Sequence, residues 1–250
     1  MTDNNEKLIP DFLDRTVLLL GEKAVKNIMN SNVLILGVGG VGAYAAEMLV
    51  RSGVSKITIV DGDEIEYTNL NRQLIALNST LGKPKTEVLK ARLLDINPAC
   101  QVTAIQEFIN KEETEKLLLS DKFDYVVDAI DSLSSKVAFL ANCKRLNLKV
   151  ISSMGSGARL DPTQLEITDI SKTYNCGLAR SVRKGLKDHG ITKGIKVVFS
   201  REVPLKNAVT PCQDDKNGHR SINGTVSYVP CVFGCAIASC IIRELAQKSE

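Results

Sequence analysis

Val33-Leu34-Ile35-Leu36-Gly37-Val38-Gly39-Gly40-Val41-Gly42 is the stretch on which the reading of this chain turns. An uninterrupted apolar run reads as a fully buried strand. It passes directly into G-x-G-G-x-G, followed by Ala43, Ala45, Ala46, Met48 and Leu49, the start of a helix. Strand, glycine turn and helix in that order form a phosphate-binding βα turn. Gly37, Gly39, Gly40 and Gly42 let the backbone turn tightly and approach a ligand, and the helix start offers free N–H groups and partial positive charge to an anion. A second apolar strand, Ile57-Thr58-Ile59-Val60, ends on Asp61, 19 residues beyond Gly42. The dinucleotide fingerprint sets its ribose-holding acid at about 20 residues.

Outward from that turn the same alternation continues. The pattern predicts strands over 33–36, 57–60, 102–105, 125–130 and 150–153, with helices over 41–52, 85–96, 112–119 and 134–146. The helix over 85–96 carries an apolar face of Val88, Leu89, Leu93 and Ile96 and stops at Asn97-Pro98. These elements predict a Rossmann-like α/β fold, a doubly wound and mostly parallel sheet with helices on both faces. Residues 7–30 read as an N-terminal helical arm broken at Gly21. After Gly155-Ser156-Gly157 the pattern changes: strands over 164–169 and 196–200 enclose a basic segment, 203–223 reads as an exposed loop or crossover, and 229–245 as a buried helix. The expected organisation is one domain over 1–250. It consists of the arm, a nucleotide-binding half over 31–157 and a substrate-binding half over 158–250 that extends the same sheet.

Composition narrows the function. Hydrophobic residues make up 44% and charged residues 24% of 250, the balance of an ordinary globular protein. No run reads as the roughly 18–20 apolar residues of a membrane span, so no membrane partner is expected. Met1 to Lys7 lacks the hydrophobic core of a secretion signal, which points to the cytoplasm. There is no Trp, and the low aromatic content argues against base-stacking platforms. Seven cysteines without any C-x-x-C read as reduced thiols and remove the usual zinc signature. Cys231, Cys235 and Cys240 read as small buried hydrophobes, Cys176 and Cys212 as ordinary free thiols. Net charge is +3, but nine basic and two acidic residues lie between Lys172 and Lys206, so that segment carries +7 and the rest of the chain −4. Charge concentrated in this way marks either a polyanion partner or a solvated face.

Three further motifs surround the glycine turn in sequence: Asp61-Gly62-Asp63-Glu64-Ile65-Glu66-Tyr67-Thr68-Asn69-Leu70-Asn71-Arg72-Gln73, Gly82-Lys83-Pro84-Lys85 and Asp128-Ala129-Ile130-Asp131-Ser132. Together they suit a nucleoside triphosphate. Arg72 and Lys85 can neutralise phosphates, Asn69 can orient one, and Asp131, just past a central strand, can hold Mg²⁺. G-x-x-x-x-G-K-[ST] is absent, so this is no P-loop. A nicotinamide enzyme would leave Arg72, Lys85 and Asp131 without a role.

From Asp14 to about Ser153 these motifs resemble the E1-like, or ThiF-type, adenylating enzymes (ThiF/MoeB/HesA), which activate carboxylates with ATP. The resemblance implies ATP and Mg²⁺ as cofactors, with a monovalent cation as a further candidate. It assigns Asp61, with Asp63 beside it, to the ribose side of the nucleotide site, Asn69, Arg72 and Lys85 to the phosphates, and Asp131 to the metal. Arg15, in the arm, would reach across a homodimer to the partner's ATP, completing a catalytic set of Arg15, Arg72, Lys85 and Asp131. In the second half, Asp161-Pro162-Thr163-Gln164, Thr168-Asp169 and Lys172-Thr173 are similar to the dehydratase branch of the family. That branch cyclises N6-threonylcarbamoyladenosine beside the tRNA anticodon. The implied partner is tRNA, with Arg180, Arg183, Lys184 and Lys187 meeting its phosphates. Three alternatives stay open at this point. One is activation of the C-terminal Gly-Gly of a sulfur-carrier protein, which would share the ATP site. Another is a NAD(P)-dependent oxidoreductase, and the third a non-catalytic adaptor for a sulfur-transfer protein.

Overall fold

The computed structural model describes residues 9–211 and 221–247. The first two residues of the expected arm and Cys212 lie outside them. At the centre is β1 (Asn32–Leu36), buried at every position as its apolar run dictates. It pairs in parallel with β2 (Lys56–Val60) on one side and β4 (Tyr125–Asp128) on the other. β3 (Gln101–Ile105) lies outside β2, and β5 (Val150–Ser153) outside β4. The sheet continues through β7 (Lys196–Ser200), parallel to β5, to β6 (Leu165–Asp169), which is antiparallel to β7 at the edge. Seven strands therefore run in the order β3-β2-β1-β4-β5-β7-β6, and the second half does extend the first half's sheet.

Both faces are covered. One core joins Ile28, Ala45, Leu49, Leu89, Leu93, Phe233, Ile237 and Ile241. It gathers α2 (Glu22–Met29), α3 (Gly42–Arg51), α4 (Lys85–Ile96) and α8 (Tyr228–Ala246). The other joins Leu117, Leu118, Phe139, Leu140, Val182 and Leu186, from α5 (Thr114–Leu118), α6 (Leu133–Arg145) and α7 (Gly177–Asp188). The arm is α1 (Asp14–Leu20) and α2, divided at Gly21, whose φ of +84° few other residues adopt.

Two differences from the sequence reading have physical causes. Strand β4 ends at Asp128, two residues early, because the chain turns outward there to form part of a site. The loop over 203–223 contains a small hairpin, β8 (Val209–Pro211) paired with β9 (Ser221–Asn223). A third point is a correction. Helix α8, 19 residues, is long and apolar enough to cross a membrane by length and composition. Its packing against α3 and α2 accounts for that composition, since it buries Val229, Phe233, Ile237 and Ile241 there.

Candidate functional site

The sequence-predicted nucleotide residues converge at the carboxyl ends of β1, β2 and β4, where open α/β sheets bind ligands. Gly42 opens α3 with its Cα so close to the turn that an added Cβ would stand 1.8 Å from the Gly37 carbonyl oxygen. Gly37, at φ +89°, would meet the Ala129 carbonyl at 2.9 Å. No side chain fits at either position, so the glycines bring the turn directly against the Ala129-Ile130-Asp131 segment. At Gly39 an added Cβ would meet only Gln73, at an ordinary 3.7 Å from Nε2, and at Gly40 it would lie 3.3 Å from Pro230 Cβ and 3.6 Å from the Arg72 stem.

Asp61 holds this turn in shape. Its carboxylate accepts from Val38 N at 2.8 Å and from Asp63 N at 2.9 Å. Burial raises the Asp61 carboxyl above its ordinary pKa, opposed by Lys85 and the two backbone N–H groups. Lys85 starts α4, is buried, and places Nζ 2.6 Å from Asp63 Oδ2. The backbone reinforces that approach, for Lys85 N donates to Asp63 O at 3.1 Å. Asn69 is buried and accepts from Glu66 N, while Arg72 Nη1 donates to Thr68 O at 2.8 Å and Asn71 Oδ1 at 3.0 Å. Asp61, Asp63, Asn69, Arg72 and Lys85 therefore belong to one edge with the four glycines.

Asp131 lies exposed on the same edge, just beyond β4. Beneath it is an arrangement that the sequence reading missed. Asp128 and Lys136 are both fully buried, 2.8 Å apart. Lys136 Nζ also donates to Ile130 O at 2.8 Å, and Ser152 Oγ donates to Asp128 Oδ2 at 2.6 Å. Two buried charges outside water need such complete pairing to be tolerated. The result fixes the carbonyl directly before Asp131. One signal was available: Asp128 interrupts an apolar strand, and Lys136 falls on the buried face of α6.

Arg15 does not join this edge within its own chain. Leu13, at the base of α1, packs on Gly53 at the far end of α3. Ten helical residues set that end about 15 Å from the glycine turn.

In the second half, α7 is amphipathic: Ala179, Val182 and Leu186 are buried, whereas Arg180, Lys184 and Lys187 are exposed at helical spacing. Among the described residues these three side chains have no hydrogen-bond or ion-pair partner. Arg183 differs, since its Nη1 donates to Thr173 O at 3.0 Å and contacts Thr173 Oγ1, and it ties α7 to the preceding loop. Lys196 and Arg201 are engaged with Glu244 and Glu166. Shallow clefts at the opposite edge of the sheet, one lined by Tyr125, Lys144, Lys149 and Glu244, contain none of the predicted site residues.

The residues present fit a nucleotide. The Gln73 Oε1 atom is buried near Gly39 without a hydrogen-bond partner among the described residues, and Gly37 and Gly42 leave no room for a side chain of their own. They fit Mg²⁺ in one way only. That way is the single carboxylate of Asp131, exposed beside the nucleotide edge; the described residues gather no cluster of three His, Cys, Asp or Glu side chains.

Residues 13–250 match the ThiF family. The chain belongs to the ThiF family. Among its relatives, the tRNA threonylcarbamoyladenosine dehydratase of Bacillus subtilis is 39% identical over 94% of this chain and 95% of its own length. The crystal structure of the Escherichia coli enzyme of that name, in complex with ATP, is 34% identical, has a TM-score of 0.83 and is covered to 92%, as is this ThiF chain. The sulfur carrier protein ThiS adenylyltransferase of Escherichia coli is 32% identical over only 54% of the chain. Likeness to the dehydratases thus runs through the second half of this ThiF-family protein as well as the first.

Proposed function

We propose that this protein is an ATP-dependent dehydratase of N6-threonylcarbamoyladenosine in tRNA. The carrying observation is that near-full-length similarity to the dehydratases coincides with a convergent nucleotide edge and a basic face unpaired among the described residues. A free carboxylate is a poor electrophile. Attack of the threonyl carboxylate on the α-phosphorus of ATP gives an acyl adenylate and releases pyrophosphate. The carbamoyl group of the same side chain then closes on the activated carbonyl, expels AMP and loses a proton, so the nucleoside sheds one water overall. Holding both groups in one molecule makes that closure effectively unimolecular.

Asp61 orients the ribose, the 37–42 turn and the start of α3 receive the phosphates, and Arg72 and Lys85 offset the charge that develops there. Asp131 is the residue that would hold Mg²⁺, which neutralises phosphate charge when bound. Lys85 begins paired with Asp63, so phosphate would displace that carboxylate from the ammonium or share the ammonium with it. Arg180, Lys184 and Lys187 meet the tRNA backbone, and a cytoplasmic setting fits that substrate.

A homodimer is part of the reading. Leu18 and Leu19 are 87% and 81% exposed on α1, an apolar pair that a second copy would cover. A second copy would also bring an Arg15 to the site that its own chain leaves without one. Mixing Arg15→Ala protein with Asp131→Ala protein should restore turnover from two inactive parents; a mixture that stays inactive removes Arg15 from a role in trans.

The deciding experiment is incubation with ATP, Mg²⁺ and tRNA bearing threonylcarbamoyladenosine, followed by nucleoside mass spectrometry. A loss of about 18 mass units, one water, is the expected result. No loss, with pyrophosphate exchange when a carrier protein ending in Gly-Gly is supplied, would favour carrier activation instead.

A further inference from the structure

Arg159 follows the Gly155-Ser156-Gly157 turn at the carboxyl end of β5 and is only 4% exposed. Its Nη1 donates to Gly157 O and its Nη2 to Asn175 O, both at 2.8 Å, while the buried Nε has no partner. No described carboxylate pairs with it, whereas Arg51, Arg92, Arg145 and Arg201 each have one. Asp161, two residues on, accepts from Thr163 N and Oγ1, and Glu202, beyond β7, accepts from the backbone of Leu160 and Asp161. A buried guanidinium with only neutral carbonyls around it carries an uncompensated charge.

A second feature faces the same point. Asn175 immediately precedes Cys176, the N-cap of the 12-residue helix α7; Cys176 Sγ accepts from Ala179 N at 3.4 Å, while the N–H groups of Gly177 and Leu178 have no acceptor within the helix. A Cβ built on Gly155 would lie 3.5 Å from Cys176 Sγ, 3.8 Å from Leu178 Cβ and 4.0 Å from Arg159 Nη1. The turn, the helix start and the guanidinium thus meet at one point, and at Gly177 beside it an added Cβ would meet nothing within 4 Å. That point lies three residues past Ser152, which bonds Asp128, and so on the edge that carries Asp131.

We propose that Arg159, the N-terminus of α7 and the 155–157 turn bind one oxyanion of the tRNA substrate, either the threonyl carboxylate or a neighbouring backbone phosphodiester. The inference rests on the dehydratase reading. Position favours it: a substrate group held here sits beside the proposed metal carboxylate, between the ATP edge and the basic face of α7.

The test uses the full-length protein, without ATP, and one tRNA in two forms, with and without the threonylcarbamoyl group. Variants are Arg159→Gln, Gly155→Ala, and Gly155→Asp, which sets a competing carboxylate beside the guanidinium. At Gly155 an added methyl meets only ordinary van der Waals contacts, so these variants keep the site testable if Arg159→Gln fails to fold. Arg159→Gln and Gly155→Asp should weaken modified tRNA by about tenfold or more, the scale of a charge-assisted hydrogen bond. A loss confined to modified tRNA assigns the carboxylate; an equal loss for both forms assigns the phosphodiester. Folded variants that bind both forms like wild type overturn the site and leave Arg159 as a strut between two loops. Wild-type turnover is followed in parallel: an inert wild type defeats the dehydratase reading itself, whereas active wild type with unchanged variants defeats only this site.

Discussion

The nucleotide edge and the outer face of α7 treat charge in opposite ways. On the nucleotide edge three charged groups are bonded before any ligand arrives: Asp61 to the backbone of the glycine turn, Lys85 to Asp63, Lys136 to Asp128. In the second half, Arg180, Lys184 and Lys187 are exposed on α7 and unpaired among the described residues. The difference suits the two partners proposed above. A triphosphate is small, and its reaction rewards donors fixed in advance, because reorganisation during the reaction raises the barrier. A tRNA backbone is large and repetitive, and flexible surface cations bind it through counterion release with no fixed geometry.

That contrast can be broken most sharply at Asp131. Asp131→Ala should reduce turnover by about a hundredfold or more, the scale of removing one preorganised electrostatic contact, with little change in melting temperature because the side chain is exposed. Full activity by nucleoside mass spectrometry would remove it from the metal role. Directly beneath, Lys136→Met leaves a buried carboxylate alone and should cost about 3–5 kcal/mol in denaturant unfolding. Pairing it with Asp128→Asn should recover much of that loss; no recovery would mean that Lys136 acts through packing.

The second half should respond differently. Replacing Arg180, Lys184 and Lys187 with Glu should raise the KM for tRNA by about tenfold or more, reduce the salt slope of binding and leave ATP affinity alone. Arg183→Ala should instead act on local stability, since that side chain is tied to Thr173. Equal effects of the two changes on tRNA binding would erase the distinction drawn between them.

The smallest effect concerns pH. Burial raises the Asp61 carboxyl above its ordinary value, so the folded chain takes up this proton more readily than the unfolded chain. Ionised Asp61 therefore subtracts from stability at neutral pH, and that loss is relieved as pH falls through the raised pKa. In the proposed role ribose binding would have the opposite sign, because it would need the carboxylate as acceptor. ATP affinity should weaken on acidification at a higher pH than an exposed Asp would give, and Asp61→Asn should flatten the profile. An unshifted profile in calorimetric titration would show that Asp61 does not gate nucleotide binding.

Much of the nucleotide edge was legible because its signals are local. A glycine turn between an apolar strand and an Ala-rich helix requires only neighbouring residues to be recognised, and Asp61, Asn69, Arg72 and Lys85 follow within one supersecondary unit. The basic segment was equally visible as charge, but its division of labour was not. Nothing in Arg180-Ser181-Val182-Arg183-Lys184 distinguishes the arginine that turns back onto Thr173 from the one that stays in solvent.

What the chain determined by itself, then, is the order of strands and helices, the anion-binding turn and the location of excess charge, all consequences of periodicity, glycine sterics and composition. Only tertiary structure decided that β7 lies between β5 and β6, that Lys136 and Ser152 meet Asp128, and that Arg159 is buried without a counterion among the described residues. These relations depend on which distant segments approach one another. A charge reveals its role only when its neighbours, its solvent and its unmet hydrogen bonds are all known.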